Sequence, residues 1–399
     1  MLGEFDVLAP GLSRKKAPSW SSSTGWDQGV SEVFALADEL GPAKVIHVHN
    51  PTLGLKGILV VDNVATGPSI GGLRMAPDVS LEECAGLARA MTLKNAAAGL
   101  AHGGGKSVLF GDPKMPRERK EPLIRAFASA LRAETDYIFG PDMGTDEICM
   151  AWIRDEIGRS VGLPREVGGI PLDEIGATGW GLIHATEVAA PYVHLRLEGA
   201  RVAIQGFGAV GKHAARFLAD RGAVLVAASD STGTVHDPEG LDVAVLIRLK
   251  ESGGSVCDYP YGRKLDRDGI IDVDCEVWIP AARPDVVNED NVHRLKTKLV
   301  VQGANIPFTV GAERTLHDRG VLVVPDFIAN AGGVICAAME YHGAPESSVF
   351  PVIEQKLRAN TTEMLDISVR DHITPREAAL QLATTRVRAA MAHRRWGIY

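Results

Sequence analysis

The sequence predicts an α/β protein of two domains, an N-terminal α/β domain followed by a doubly wound parallel sheet, with C-terminal helices that return to the first domain. Three observations carry this expectation. The chain, at 399 residues, exceeds one typical core. Apolar strand-like runs alternate with amphipathic stretches along most of its length. The strand candidate Arg201 to Gln205 runs directly into a glycine turn and a helix, Gly206-Phe-Gly-Ala-Val-Gly211.

Composition narrows the class. With 45% hydrophobic and 23% charged residues the chain reads as an ordinary globular protein. A formal charge of -8 argues against a nucleic-acid partner, because phosphate binding needs a basic face. No run approaches the ~20 apolar residues of a membrane span, and residues 1–25 lack the apolar core of a secretory signal. Cys84, Cys149, Cys257, Cys275 and Cys336 are scattered, with no metal-ligand or redox spacing, so no metal is expected. Reduced thiols in a cytoplasmic protein follow. Ser13 to Lys16 and Ser19 to Thr24 suit a mobile arm or an oligomer contact.

The elements are expected in this order. Asp27 to Leu40 has helical periodicity, Ala43 to His49 alternates like a strand, and Gly57 to Asp62 is a second strand. Ser80 supplies a cap, and Glu82 and Glu83 an acidic first turn, for a helix running to about Ala97 with Lys94 near its C-terminal end. Three glycines then turn the chain into Lys106 and a strand Ser107 to Phe110, followed by a helix Glu121 to Ala133 and a strand Asp136 to Phe139. A long helix from Thr178 to Leu197 leads to the second unit. Its strands are Arg201 to Gln205, Val224 to Ser229, Val277 to Pro280, Leu299 to Gln302 and Val321 to Pro325. Domain boundaries are expected at 1–183, 184–330 and 331–399.

Two sets of residues carry chemistry. Gly206, Gly208 and Gly211, with Phe207, Ala209 and Val210 between them, lie between a strand and a helix. This is the pattern of a Rossmann-type dinucleotide site: a tight turn, a close backbone approach for pyrophosphate and a close helix contact. Asp230, about 20 residues on, suits the adenosine ribose hydroxyls and favours NAD, although NADP stays open. The alternative is a turn aspartate. In the first domain, Lys94 and Lys106 form a cationic pocket suited to a carboxylate and the carbon beside it. A lysine partly desolvated by Gly103 to Gly105 suits acid–base work, with Asp142 as proton relay. The alternatives are solvated lysines and a helix-capping Asp142.

At this point the motifs Gly67-Pro-Ser-Ile-Gly-Gly-Leu-Arg74, Met91-Thr-Leu-Lys94-Asn, Gly103-Gly-Gly-Lys106, Gly140-Pro-Asp142-Met-Gly, Gly176-Ala-Thr-Gly-Trp-Gly181, Gly303-Ala-Asn305 and Asn330-Ala-Gly-Gly-Val334 resemble those of the glutamate/leucine/phenylalanine/valine dehydrogenases. The resemblance runs from about residue 45 to 340 with the motifs in order. It implies reversible oxidative deamination of an L-amino acid to a 2-oxo acid and ammonia, in a homo-oligomer of six or eight chains. Carried over, Lys94 binds the substrate α-carboxylate, Lys106 is catalytic and Asp142 is its proton-transfer partner. Thr178 meets the nicotinamide carboxamide, and Asn305 lies near cofactor and substrate. Ala281 and Asn330 are assigned to the cofactor cleft, and Gly71, Gly72, Ile70, Val334 and Ala337 to the substrate.

The side-chain pocket departs from the glutamate specialists. The position that carries a lysine in those enzymes is Ile70 here, and the position of a serine is Ala337. Burying a γ-carboxylate against both without a partner would cost several kcal/mol. An apolar substrate such as leucine, valine or phenylalanine is therefore expected, with glutamate as the alternative. An alternative of another class is a catalytically silent dinucleotide-binding protein. His102, where the family usually has an apolar residue, either contacts substrate or fills space.

Overall fold

The computed structural model describes residues 34–394. The serine-rich and basic stretches before residue 25 lie outside the described residues, as does the start of the helix expected from Asp27 to Leu40. The described part of that segment is turns and bends. The Asp38 carboxylate takes the amides of Leu40 and Gly41 at 2.8 and 3.2 Å, closing a local turn that competes with helix.

The first unit is a five-stranded sheet in the order β1-β2-β4-β3-β5. Its strands are β1 (Lys44–Asn50), β2 (Leu55–Asn63), β3 (Ser69–Ala76), β4 (Gly104–Phe110) and β5 (Tyr137–Pro141). β1, β2 and β4 pair antiparallel, whereas β3 runs parallel to both β4 and β5. Strand β3 has no period-2 signal because glycines interrupt it, yet it occupies an interior position. A Cβ on Gly71 would stand 1.8 Å from the Gly105 carbonyl oxygen, so only glycine permits that strand contact.

Helix α1 (Leu81–Ala97) starts as expected, with the Ser80 side chain accepting from the Glu83 amide and Glu82 and Glu83 in its first turn. It lays Lys94 over the sheet. α2 (Arg117–Ala130) and α3 (Glu147–Ile157) follow. The cap of α3 is Asp146, which accepts from the Cys149 amide, so Asp142 is not a helix cap. A short α4 (Leu172–Ile175) precedes α5 (Ala177–Ala189). The long helix expected to Leu197 breaks early: 190–193 tighten into a 3-10 turn around Pro191, and His194 adopts a φ of 53°.

The second unit is a seven-stranded sheet in the order β12-β11-β10-β6-β7-β8-β9. β6 (Arg201–Gln205), α6 (Ala209–Ala219) and β7 (Val224–Ser229) open it, and β8 (Thr234–His236), α7 (Val243–Glu251) and β9 (Arg263–Leu265) follow. Then come β10 (Val277–Pro280), β11 (Leu299–Val301), α8 (Val310–Asp318) and β12 (Leu322–Val324). The doubly wound parallel sheet expected from the sequence is present in β12-β11-β10-β6-β7, and at its edge β8 pairs antiparallel with β7 and β9 antiparallel with β8. At three residues each they are too short to show a period. β6 lies between β7 and β10, the strand-order reversal whose crevice receives ligands in such sheets.

Last come α9 (Asp326–Ala329), α10 (Gly332–Tyr341), α11 (Val349–Asp371) and α12 (Pro375–His393). α11 packs along α5, and α12 lies against α1. There Arg386 donates from Nη1 to the carbonyls of Ala96 and Ala97 at 3.2 and 2.8 Å, which places a cation at the negative end of the Lys94 helix.

Candidate active site

Lys106 lies within β4 and not after a turn, because Gly104 and Gly105 already belong to the strand. The glycines serve close packing. A Cβ would stand 1.8 Å from the Asn63 carbonyl at Gly103, 1.9 Å from the Thr92 amide at Gly104 and 2.8 Å from Ser69 Oγ at Gly105. This run therefore lies flush between β2, α1 and β3 and leaves Lys106 almost wholly buried.

Lys106 Nζ reaches Asp142 Oδ2 at 2.5 Å. Arg74 approaches the same oxygen with Nε at 3.1 Å and holds Glu83 with Nη1 at 2.5 Å. Burial alone would raise the Asp142 carboxyl, but the charges of Lys106 and Arg74 outweigh it and hold the group below the usual carboxylate range. Asp142 is thus an anion inside a cationic frame. Beneath the pair lies Gly72, where a Cβ would meet Asp142 Cβ at 2.7 Å and Lys106 Nζ at 3.1 Å.

Lys94 has a different electrostatic status. Among the described residues its ammonium makes no hydrogen bond and no ion pair. Desolvation lowers its pKa from 10.5 to about 8; the Asp326 carboxylate opposes that shift and the Lys106 charge adds to it. A desolvated cation without a partner favours an incoming anion. Asp326 is itself fixed by Arg376 at 3.0 Å and by the Ile306 amide at 2.8 Å, so it anchors the loop carrying Asn305.

Gly71 and Ile70 lie in β3, and Ile70 is buried in the apolar cluster against which Val334 and Ala337 of α10 also pack. His102 is fully buried, with Nδ1 3.0 Å from the Pro68 carbonyl and Nε2 2.9 Å from His342 Nε2.

In the second unit, Gly206 adopts a φ of +94°, and a Cβ there would lie 2.7 Å from that of Ala282. A Cβ on Gly211 would meet the Gly206 carbonyl at 2.0 Å. Gly208 begins α6 with no side-chain cap and has open space where its Cβ would be. Gly208 and Ala209 are exposed and Val210 half-buried, so the helix start presents free amides to an anion. Phe207 turns inward and is buried, its amide bonded to the Ser229 carbonyl, so it offers backbone only. Ala281 follows β10 and donates its amide to the Gln205 carbonyl at 2.7 Å. Asn330 donates to Asn305 Oδ1 at 2.9 Å, and its own Oδ1 is a buried acceptor without a partner. Thr178 lies in the first turn of α5, where a Cβ on Gly333 would come within 3.2 Å of its hydroxyl. An open helix N-terminus, an unfilled glycine cradle and an orphaned amide oxygen fit a dinucleotide.

Asp230 differs from expectation. Oδ2 receives Lys250 Nζ at 2.8 Å and the Val256 amide at 2.9 Å, and Oδ1 receives the Thr232 amide and hydroxyl at 3.0 and 2.7 Å and Ser255 Oγ at 3.1 Å. Five donors use its acceptor capacity, so in this arrangement it has none to spare for ribose hydroxyls. Sequence reasoning missed Lys250, Asp326 and Arg376. No periodicity or motif ties them to the residues they serve.

Residues 42–159 match the family description "Glu/Leu/Phe/Val dehydrogenase, dimerisation domain", and residues 168–395 match "Glutamate/Leucine/Phenylalanine/Valine dehydrogenase". The chain is 36% identical over 398 residues to a glutamate dehydrogenase of Aeropyrum pernix, covering 93% of this chain and 95% of that protein. It is 35% identical to an NAD-specific glutamate dehydrogenase of Staphylococcus aureus, covering 93% and 94%. A hetero-hexameric glutamate dehydrogenase from Thermus thermophilus, in a leucine-bound form, superposes with a TM-score of 0.79 at 30% identity, covering 89% and 91%. An L-tryptophan dehydrogenase from Nostoc punctiforme shares the fold, with a TM-score of 0.71 at 24% identity, covering 90% and 99%.

Proposed function

This chain belongs to the Glu/Leu/Phe/Val dehydrogenase family and is an amino-acid dehydrogenase acting on the CH–NH2 group, and we propose that it oxidatively deaminates an L-amino acid reversibly with NAD. The observation that carries the assignment of roles is the contrast between two neighbouring lysines, one paired to Asp142 and one unpaired. Lys94 takes the substrate α-carboxylate, replacing lost hydration with a charge-assisted contact. That fixes the α-carbon beside Lys106 and Asp142. Asp142 exchanges protons with the substrate amino group. Lys106 activates a water against the imine carbon and stabilises the oxygen of the resulting carbinolamine. The Gly206–Gly211 turn and Gly208 amide would hold the dinucleotide phosphates, with Thr178, Asn305 and Asn330 toward the nicotinamide end. A dinucleotide held there would supply the hydride acceptor for the α-carbon that Lys94, Lys106 and Asp142 position.

For the side chain, the curated relatives support L-glutamate better than the apolar substrate expected from the sequence, because those named above are glutamate dehydrogenases. L-Glutamate is the first substrate we propose. One observation favours the apolar reading: Ile70 and Ala337 offer no partner to a γ-carboxylate. The NAD-specific relative supports NAD as cofactor, and the dimerisation description and the hexameric neighbour support an oligomer, here proposed as homomeric and cytoplasmic. No described helix is long and apolar enough to cross a membrane.

The deciding experiment is NADH formation with L-glutamate, L-leucine, L-valine and L-phenylalanine, repeated with NADP. Glutamate at least about tenfold above the others in kcat/KM supports the first reading, and the reverse order supports the second. NAD binding with no amino acid oxidised would overturn both and leave a silent dinucleotide-binding protein.

A further inference from the structure

We infer that His102 and His342 set the depth of the substrate side-chain pocket, by fixing how far α10 stands from β3. This rests on the second reading above, in which Ile70 and Ala337 line a pocket for an apolar side chain. His102 is tied to the entry of β3: Nδ1 lies 3.0 Å from the Pro68 carbonyl, and the next residue, Gly103, accepts the Ile70 amide at 3.2 Å. A carbonyl only accepts, so Nδ1 carries the proton and Nε2 is the acceptor. His342 Nε2, 2.9 Å away, must then donate. The tautomer chain runs in one direction from α10 through His102 into β3.

His342 is the C-cap residue of α10, and Tyr341 before it meets the His102 ring edge-on at 5.8 Å between centroids. Ala337 lies one turn before Tyr341 on the same helix face. A second tie reinforces the joint, because Glu340 accepts the amides of Leu163 and Ile170 at 3.2 and 2.8 Å. The far end of α10 is equally constrained, with a Cβ on Gly332 placed 2.1 Å from the Ala177 carbonyl. On that reading one pocket wall is on β3 and the other on α10, and the His102–His342 contact spans the two elements. Neither imidazole takes part in the Lys106–Asp142 pair or the dinucleotide turn. An apolar filler in place of His102 would pack the same space without fixing the separation.

The test measures kcat/KM of the full-length protein for L-phenylalanine and L-leucine, with the KM for NAD as a control. His102→Ala should raise the phenylalanine-to-leucine ratio about tenfold, through KM, and leave the KM for NAD unchanged. His102→Gln, which keeps an acceptor for the His342 N–H, should stay within about threefold of the parent ratio. His342→Ala, at an exposed helix end where truncation spares the core, should move the ratio in the same direction. Ile70→Ala separates the two layers of the argument. If Ile70→Ala shifts the ratio and neither alanine variant of the histidines does, the inference is overturned while the pocket reading stands. If Ile70→Ala leaves the ratio alone, the pocket reading fails and the inference fails with it.

Discussion

Lys106 Nζ and Asp142 Oδ2 meet at 2.5 Å across a strand that separates them. Lys106 lies on β4, Asp142 follows β5, and β3 runs between the two with Gly72 beneath the contact. A missing side chain on the middle strand is what lets the outer two cooperate. Lys94, on α1, feels the charge of Lys106 yet has no hydrogen-bond or ion-pair partner among the described residues.

Replacing Lys106 by alanine should abolish turnover, by at least about a thousandfold in kcat, and leave NAD affinity intact because the glycine turn lies in the other unit. Gly72→Ala should lower kcat about a hundredfold by wedging the pair apart. Steady-state kinetics with NAD titration by fluorescence reads both. Equal loss of NAD affinity in Lys106→Ala would show the lysine is misplaced.

Lys94 supplies a pH dependence with a defined sign. Its pKa is lowered to about 8, so the cation is present below that pH and lost above it. Inhibition by a simple carboxylate should be flat below pH 8 and weaken up to about tenfold per unit above it. Lys94→Arg, charged throughout, should remove the slope. A slope that survives in Lys94→Arg would assign the titration elsewhere.

Asp230 and Lys250 bear on cofactor choice. The ammonium 2.8 Å from the carboxylate neutralises the group expected to repel a 2′-phosphate. Lys250→Ala should therefore lower kcat/KM for NADP about tenfold relative to NAD. An unchanged NAD-to-NADP ratio would place the phosphate away from this pair.

Two changes test the pocket directly. Ile70→Lys combined with Ala337→Ser gives a γ-carboxylate an ammonium and a hydroxyl, and should raise the glutamate-to-leucine ratio of kcat/KM at least about tenfold. No shift would mean that these positions do not line the pocket.

Arg376, from α12, bonds Glu313 at 2.5 Å, Asp326 at 3.0 Å and Gln302 at 3.0 Å in a largely buried cluster. Arg376→Met should destabilise the fold by about 3–5 kcal/mol, because two buried carboxylates lose their counter-charge. Urea unfolding checks this, and an unmoved midpoint would refute it.

Much of this protein was legible from sequence where the signal is local. Ser80 with Glu82 and Glu83 announced α1, and Arg201 to Gly211 announced the strand, turn and helix of the dinucleotide site. β3 was hidden because Gly71 and Gly72 carry no strand propensity, and their reason lies in backbone and side chains of β4 and β5. Of the helix expected from Asp27 to Leu40, the described residues 34–40 form turns and bends, one of them closed by Asp38.

The sequence by itself determined the order of the elements, the two lysines and the glycine turn, because caps, periodicity and glycine turns act within a few residues. Only the tertiary structure decided that Lys106 is paired and Lys94 is not, that Lys250 occupies Asp230, and that His102 meets a histidine 240 positions away. Those outcomes depend on desolvation and on partners brought together from separate elements. Neither quantity exists until the chain has folded.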